Sequence, residues 1–209
     1  MLAIRVTVPV ACFRKGLARE YLETERLPPP ATCYGFLLSL VGETDRRRHL
    51  GCRICPVLVG EPHTSVVLRR VWRLKQLPLS SKENSRPDYQ QLLTSVQLVL
   101  WVESKEEIGP DPLLEARIRT ALERPEQIDR FGGLSLGEST HLVDEVGFFR
   151  AHEGKGDAFL VADDGPLTMP VWVDHVGARD TRYVTGRLEC VDLREPPPLE
   201  RMPRIVAAW

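Results

Sequence analysis

The chain reads as an α+β protein, with a ferredoxin-like or RRM-like domain over residues 1–150 and a β-rich C-terminal region over residues 151–209. Three observations predict this. Apolar residues alternate with period two in several segments of the first 150 residues, two helical segments interrupt them, and only short alternating runs follow. The resulting order of strand, helix, strand, strand, helix, strand is that of the split βαβ unit.

The elements follow in order. Leu2, Ile4, Val6, Val8 and Val10 alternate with Ala3, Arg5, Thr7 and Pro9, which gives a half-buried strand, placed near a sheet edge by its proline. Residues 11–30 are polar and end in Pro28-Pro29-Pro30, a stiff extended approach. Ala31–Val41 is apolar almost all round, with proline before it and Gly42 after it, which predicts a buried helix. Arg46 to His49 reads as an exposed loop. Strand patterns return at Ile54–Val59 and Ser65–Leu74, and the polar stretch Ser80–Gln91 shows no periodicity. Val96, Leu98, Leu100 and Val102 alternate again. Asp111 as N-cap and Pro112 at the first helical position open a second helix, whose apolar face is Leu114, Ile118, Ala121 and Leu122. A glycine-rich loop, Arg130–Ser139, then feeds a strand at His141–Phe149. Further strands are predicted at Ala158–Val161, Leu167–Val173 and Tyr183–Val191, with a turn at Asp163-Asp164-Gly165. Pro196-Pro197-Pro198 begins an irregular tail.

Composition excludes several classes. With 43% hydrophobic and 27% charged residues the chain is ordinary for a globular protein. No apolar run approaches the ~20 residues that span a bilayer. The opening alternation is broken by Arg5, unlike a signal peptide, so a cytoplasmic location is expected. Five scattered cysteines do not form a disulfide framework. Cys52 and Cys55 have metal-ligand spacing, with His49 and His63 nearby, but no second pair exists, so they read as unligated thiols at a strand edge and no metal is assigned.

The net charge of −1 conceals an asymmetry. Residues 46–86 hold ten Lys/Arg against Glu61 and Glu83, whereas residues 87–209 hold 13 basic and 22 acidic residues. One strongly basic segment in a neutral chain points to one polyanion-binding face, or to a solvated charge run.

Three local patterns coincide: the proline-led apolar helix Leu27–Gly42, the basic excursion between the central strands, and the loop Gly132-Gly133-Leu134-Ser135-Leu136-Gly137-Glu138-Ser139. Together they resemble the CRISPR-associated Cas-five family of type I Cascade complexes, and Phe131-Gly132-Gly133 is most similar to the DevS-like branch of type I-B. The resemblance covers most of residues 1–150. It implies an RRM-like domain with a protruding β-hairpin thumb, here about Arg69 to Leu93, that holds the 5′ handle of the crRNA. It also implies neighbours, the large and backbone subunits of Cascade, with target DNA met only indirectly. In one branch of the family the subunit itself cuts the precursor, through a Tyr, Lys and His constellation.

The residues fit that reading unequally. Arg69, Arg70, Arg73 and Lys75 lie within seven residues and alternate between the two faces of a strand, with Lys82 and Arg86 further on. Cations on both faces suit a ribbon that grips phosphates. Trp72 and Tyr89 are candidates for base stacking, and Trp72 equally for a core or subunit contact. Arg14, Lys15 and Arg19 either hold handle phosphates or form a solvated loop. Gly132, Gly133 and Gly137, with Leu136 and His141, form a loop whose backbone N–H groups suit close contact with phosphates or bases, or else a plain tight connection. No Gly-Lys-Ser/Thr follows, so it is not a nucleotide-phosphate loop, and no cofactor is assigned. Gly35 costs its helix roughly 1 kcal/mol against alanine, which close packing on the sheet, or close approach of RNA, would explain.

No catalytic residue is assigned. Metal-independent RNA cleavage needs a base for the 2′-OH and an acid for the leaving oxygen. His49, His63, His141, His152 and His175 are dispersed, and no Lys-His pair occurs. The alternatives are a crRNA-processing endoribonuclease on the same fold, with His141 as its candidate, and a ferredoxin-like protein-interaction or small-molecule regulatory module without RNA.

Overall fold

The computed structural model describes every residue except Leu17, Arg19, Glu20, Arg73, Leu74, residues 175–178 and Trp209. Chain order is β1 (Leu2–Ala11), β2 (Phe13–Arg14), β3 (Tyr21–Leu22), β4 (Thr24–Glu25), α1 (Pro30–Leu40), β5 (Arg53–Val59), β6 (His63–Trp72), β7 (Ser85–Glu103), α2 (Leu114–Glu123), β8 (Glu145–Phe148), β9 (Lys155–Val161), β10 (Leu167–Trp172) and β11 (Arg182–Asp192). Two α-helices accompany a mostly antiparallel nine-stranded sheet in the order β10-β11-β9-β5-β7-β1-β8, with β3 and β6 also pairing β7. β2 and β4 form a separate two-stranded ribbon. β9 pairs β5, so the C-terminal strands extend the sheet of the first 150 residues.

β1 is not near an edge as its proline suggested: it lies between β7 and β8. Pro9 is tolerated because β8 pairs only with Ile4–Thr7, so the missing N–H breaks no ladder bond there. On the other side the β1–β7 ladder skips from Val8↔Val96 to Val10↔Thr94. The skipped Ser95 takes φ +59, a left-handed conformation few non-glycine residues adopt. On its N-terminal side β7 keeps β1 through Val10↔Thr94 and Ala11↔Leu93, and continues into a hairpin with β6, paired from His63↔Thr94 to Trp72↔Ser85. Residues 85–91 of the polar stretch predicted to lack regular structure are therefore the start of the longest strand.

α1 is buried as predicted, through Cys33, Tyr34, Phe36, Leu37, Leu38 and Leu40, with Pro30 in its first turn. Gly42 ends it at φ +66, and a Cβ there would also stand 2.2 Å from the Asp129 carbonyl oxygen, so only glycine fits. Gly35 behaves otherwise. It is exposed, and a Cβ would meet no atom within 4 Å, so close packing does not explain it. α2 starts at Leu114, later than Asp111-Pro112 suggested, because its first N–H groups find acceptors elsewhere. Glu107 Oε2 accepts from Leu114 N at 3.0 Å, and Ser104 Oγ from Glu115 N at 3.2 Å.

Ile4, Leu37, Leu40, Leu98, Ile118 and Phe159 belong to the main core, where the helices meet the sheet. A second cluster, Cys55, Val57, Val99, Trp101 and Leu160, is covered by Leu193 and Met202 of the tail. The tail is not irregular throughout: Ile54 N donates to Pro203 O and Ile205 N to Cys52 O, which closes the side of β5 that β9 leaves free. Burial pushes the Cys55 thiol up to about 12 and the Cys52 thiol well above its ordinary value. The expected loop at Arg46–His49 is only partly exposed, since His49 is fully buried between Glu107 and Arg117.

Candidate nucleic-acid interface

The β6–β7 hairpin has unlike faces, because cross-strand partners share a side. Val66, Leu68, Arg70 and Trp72, with Pro87 and Tyr89 opposite, form the exposed face. Trp72 is 57% exposed and Tyr89 50%, which removes the core reading of Trp72. Val67, Arg69 and Val71, with Arg86, Asp88 and Gln90, form the other face, which is half-buried or buried. Cations thus stand on both faces but in different states. Arg70 is open to solvent. Arg69 is held between Asp88 and Glu138, 3.5 Å from each. Its charge is largely offset within the chain.

The hairpin tip is built on Asn84, which is 1% exposed. Its Oδ1 accepts from Lys75 N at 2.7 Å and Gln76 N at 3.1 Å, and its Nδ2 donates to Gln76 O at 2.9 Å. One side chain replaces the ladder bonds that end at Trp72↔Ser85 and leaves the Lys75 and Lys82 side chains in solvent. Sequence reasoning missed Asn84; an asparagine between two strand patterns was the available signal.

On the half-buried side of the hairpin, Arg14, Leu22, Arg69, Arg70, Asp88 and Glu138 line a cleft of about 410 Å³. Arg14 donates from Nε to Ala18 O at 3.1 Å, and Lys15 lies 4.0 Å from Glu23. Arg19 and Arg73 lie outside the described residues, as does His175. Gln90 donates to Glu138 at 2.9 Å, so the last turn of the glycine-rich loop is tied to the hairpin.

That loop is a miniature hairpin, with Val143 N bonded to Leu134 O and Leu136 N to His141 O. Leu136, 1% exposed, anchors it in the core. His141 is 8% exposed, and its Nδ1 accepts from Cys12 N at 3.1 Å and Glu138 N at 3.2 Å, which fastens the loop to the end of β1. Burial holds the imidazole below its ordinary pKa; Glu138 opposes this and Arg69 adds to it. Gly132 and Gly137 have φ +75 and +105, and a Cβ at Gly137 would stand 2.8 Å from Cys12 O. Gly132 and Gly133 are exposed at the loop's outer end. Among the described residues no group of three or more His, Cys, Asp or Glu side chains could hold a metal ion, and no helix is long and apolar enough to cross a membrane.

The open cationic hairpin and the pinned glycine loop stand on a fold shared with proteins of CRISPR systems. The chain matches a chain of a CRISPR RNA-guided surveillance complex with a TM-score of 0.61 at 13% identity, over 91% of this chain and 89% of that one. It matches the crystal structure of a Cas protein with a TM-score of 0.50 at 17% identity, over 97% of both chains. No family model matches the sequence. It is, however, 50% identical over 214 residues to CRISPR-associated protein Cas5 of Myxococcus xanthus (strain DK1622), covering 100% of this chain and 98% of that protein. The chain belongs to the Cas5 family.

Proposed function

We propose that the chain is a non-catalytic crRNA-binding subunit of a type I Cascade complex. It caps the 5′ handle of the guide RNA and touches the backbone and large subunits, and its place is in the DevS-like branch of type I-B. In this reading the strands β8, β1, β7 and β5 with α1 and α2 are the ferredoxin-like core, and the β6–β7 hairpin is the thumb. The observation that carries the reading is the hairpin itself. It holds Arg70, Lys75, Lys82, Trp72 and Tyr89 exposed on one ribbon, the cations and flat rings that single-stranded RNA requires.

The geometry of His141 supports binding without cutting. A general base needs a free ring nitrogen within reach of the 2′-OH. Nδ1 is committed to two backbone N–H groups, and burial opposes protonation. The test has two arms. Changing Arg69, Arg70 and Arg73 together to alanine lowers RNA retention and flattens its salt dependence, because phosphate neutralisation releases counterions; an unchanged slope and yield refute the hairpin's role. His141→Ala leaves crRNA length unchanged in cells that carry the other subunits. Accumulation of uncut precursor with the complex intact establishes the endoribonuclease reading instead.

A further inference from the structure

α1 leaves one side open at Gly35 and Ser39. A cleft of about 340 Å³ runs over these residues, with Arg46, Arg130 and Phe131 also in its lining, beside Asp129 and the Arg117-paired Glu43. A second cleft, of about 310 Å³, shares Gly35, Ser39 and Arg46 and continues to Ser135 and Gly137 of the glycine loop. Two side chains here are flat. The Arg46 guanidinium lies 4.4 Å from the centroid of the Trp172 ring, and its Nη2 donates to Val173 O at 2.6 Å. Trp172 is 6% exposed, so this stack is a fixed wall. Arg46 makes no ion pair among the described residues, and it lines both clefts. Phe131 is fully exposed, with no side chain packed on its ring. An aromatic ring left wholly in water forgoes roughly 1.5–3 kcal/mol of burial.

The floor between them is the glycine whose absent side chain meets nothing. The helix is destabilised by roughly 1 kcal/mol through Gly35 with no packing return, and the space so kept opens into the cleft. A glycine floor, a phenyl ring, a stacked guanidinium and the exposed Arg130 match one ligand chemistry: a planar ring with an attached anion. Unpaired nucleobases are held in this way, stacked on aromatic and guanidinium planes with cations on the phosphates.

We propose that the cleft over Gly35 receives one unpaired base of the bound RNA, stacked against Phe131 and Arg46, with Arg130 at its phosphate. The inference rests on the RNA-binding reading above. It adds a base-holding site lined by α1 and the glycine loop rather than by the hairpin cations, on residues that charge alone does not single out.

The test is a cycle between protein and RNA variants, read by fluorescence anisotropy on the full-length chain. The ligand is single-stranded RNA of the repeat-derived 5′ sequence of its own locus, with a series carrying one abasic site at each position. For wild type, one abasic position weakens binding about 5- to 150-fold, the range of a single base–aromatic stack. Phe131→Ala binds intact RNA as weakly as wild type binds that abasic RNA and loses nothing further on it, while it still responds at other positions. Arg46→Lys, which keeps the charge but not the plane, behaves in the same way. Gly35→Leu fills the floor, lowers affinity and raises the melting temperature, which separates blockage from misfolding. Binding that ignores every abasic position overturns the cleft and leaves the RNA-binding reading standing. So do losses from Phe131→Ala and the abasic site that multiply at every position. A wild-type chain that retains no RNA at all overturns both.

Discussion

Arg117→Met tests what holds α1, the following loop and α2 together. Arg117 bonds Glu43 through Nη1, approaches His49 Nε2 at 2.9 Å, and donates from Nη2 to Val41 O at 2.9 Å. Arginine can only donate, so His49 Nε2 accepts, and the imidazole proton sits on Nδ1 facing Glu107. His49 and Glu107 have no side-chain exposure, and Glu43 has 9%. Methionine fills similar volume but takes one donor each from the Glu43 carboxylate, the His49 ring and the Val41 carbonyl, and leaves Glu43 only the Asp45 N–H and the more distant Arg48. Removing one partner of a buried ion pair costs about 3–5 kcal/mol. For a chain of this size that lowers the melting temperature by roughly 6–20 °C. Burial pushes the Glu43 carboxyl up, but the Arg117 hydrogen bond and the Asp45 N–H outweigh it and hold the group below its ordinary value. The stability from Glu43 is therefore present above about pH 4.5 and lost as pH falls through the lower folded value. Arg117→Met removes that acid-side slope. Glu43→Gln added to Arg117→Met takes away the stranded charge and recovers at least about 1 kcal/mol. Thermal and urea denaturation of the three proteins between pH 3.5 and 7 read the outcome. A loss under about 1 kcal/mol, or an unchanged acid slope, shows that the network is not the clamp described here.

His141 is held below its ordinary pKa, so the folded state prefers the neutral ring; its stability is full above the unfolded value of about 6.5 and declines as pH falls toward the folded one. His141→Asn flattens the dependence of melting temperature on pH in that window, and a parallel pair of curves contradicts the assignment. Asn84→Ala leaves the global melting temperature within about 2 °C but speeds amide exchange of residues 75–84 at least tenfold, since its hydrogen bonds hold only the tip; unchanged exchange shows that the tip has another support. A Cβ at Gly186 would stand 2.4 Å from Leu160 O and 2.7 Å from the Phe159 ring, so Gly186→Ala destabilises by about 1–3 kcal/mol, measured by urea denaturation.

Strands with one apolar side were legible in the sequence. β1 falls where period-two alternation places it, with Leu2, Ile4, Val6 and Val8 turned to the core, and β9, β10 and β11 fall close to the short strands predicted for residues 158–191. The first half of β7 was not legible, because its inward residues are Asp88 and Gln90, which face a polar foot made by Arg69 and Glu138 from distant segments. His49 defeats prediction for the same reason: its partners lie 58 and 68 residues away. Of the candidate interface, the glycine loop and the basic run were visible as local patterns. Which cations are free was not, since Arg69 and Arg70 are adjacent in sequence and differ only in what their faces meet. The open side of α1 was visible only as an unexplained glycine.

Mechanically, the hairpin is a cantilever rooted in the middle of the sheet. β7 has 19 residues, about 60 Å at strand rise, and runs unbroken from the core to the hairpin end. A load on the tip meets β3 and Glu138 at Tyr89 and Gln90 first, and is then carried as shear along the ladders with β1 and β5. The irregular point in the beam is Ser95, whose left-handed backbone is separated by a steric barrier from the extended region. Whatever presses on the tip, the beam has discrete settings rather than a range of angles. A partner that tilts it must either flip Ser95 or slide β7 past its neighbours, and sliding by one residue turns every side chain of the core strand outward.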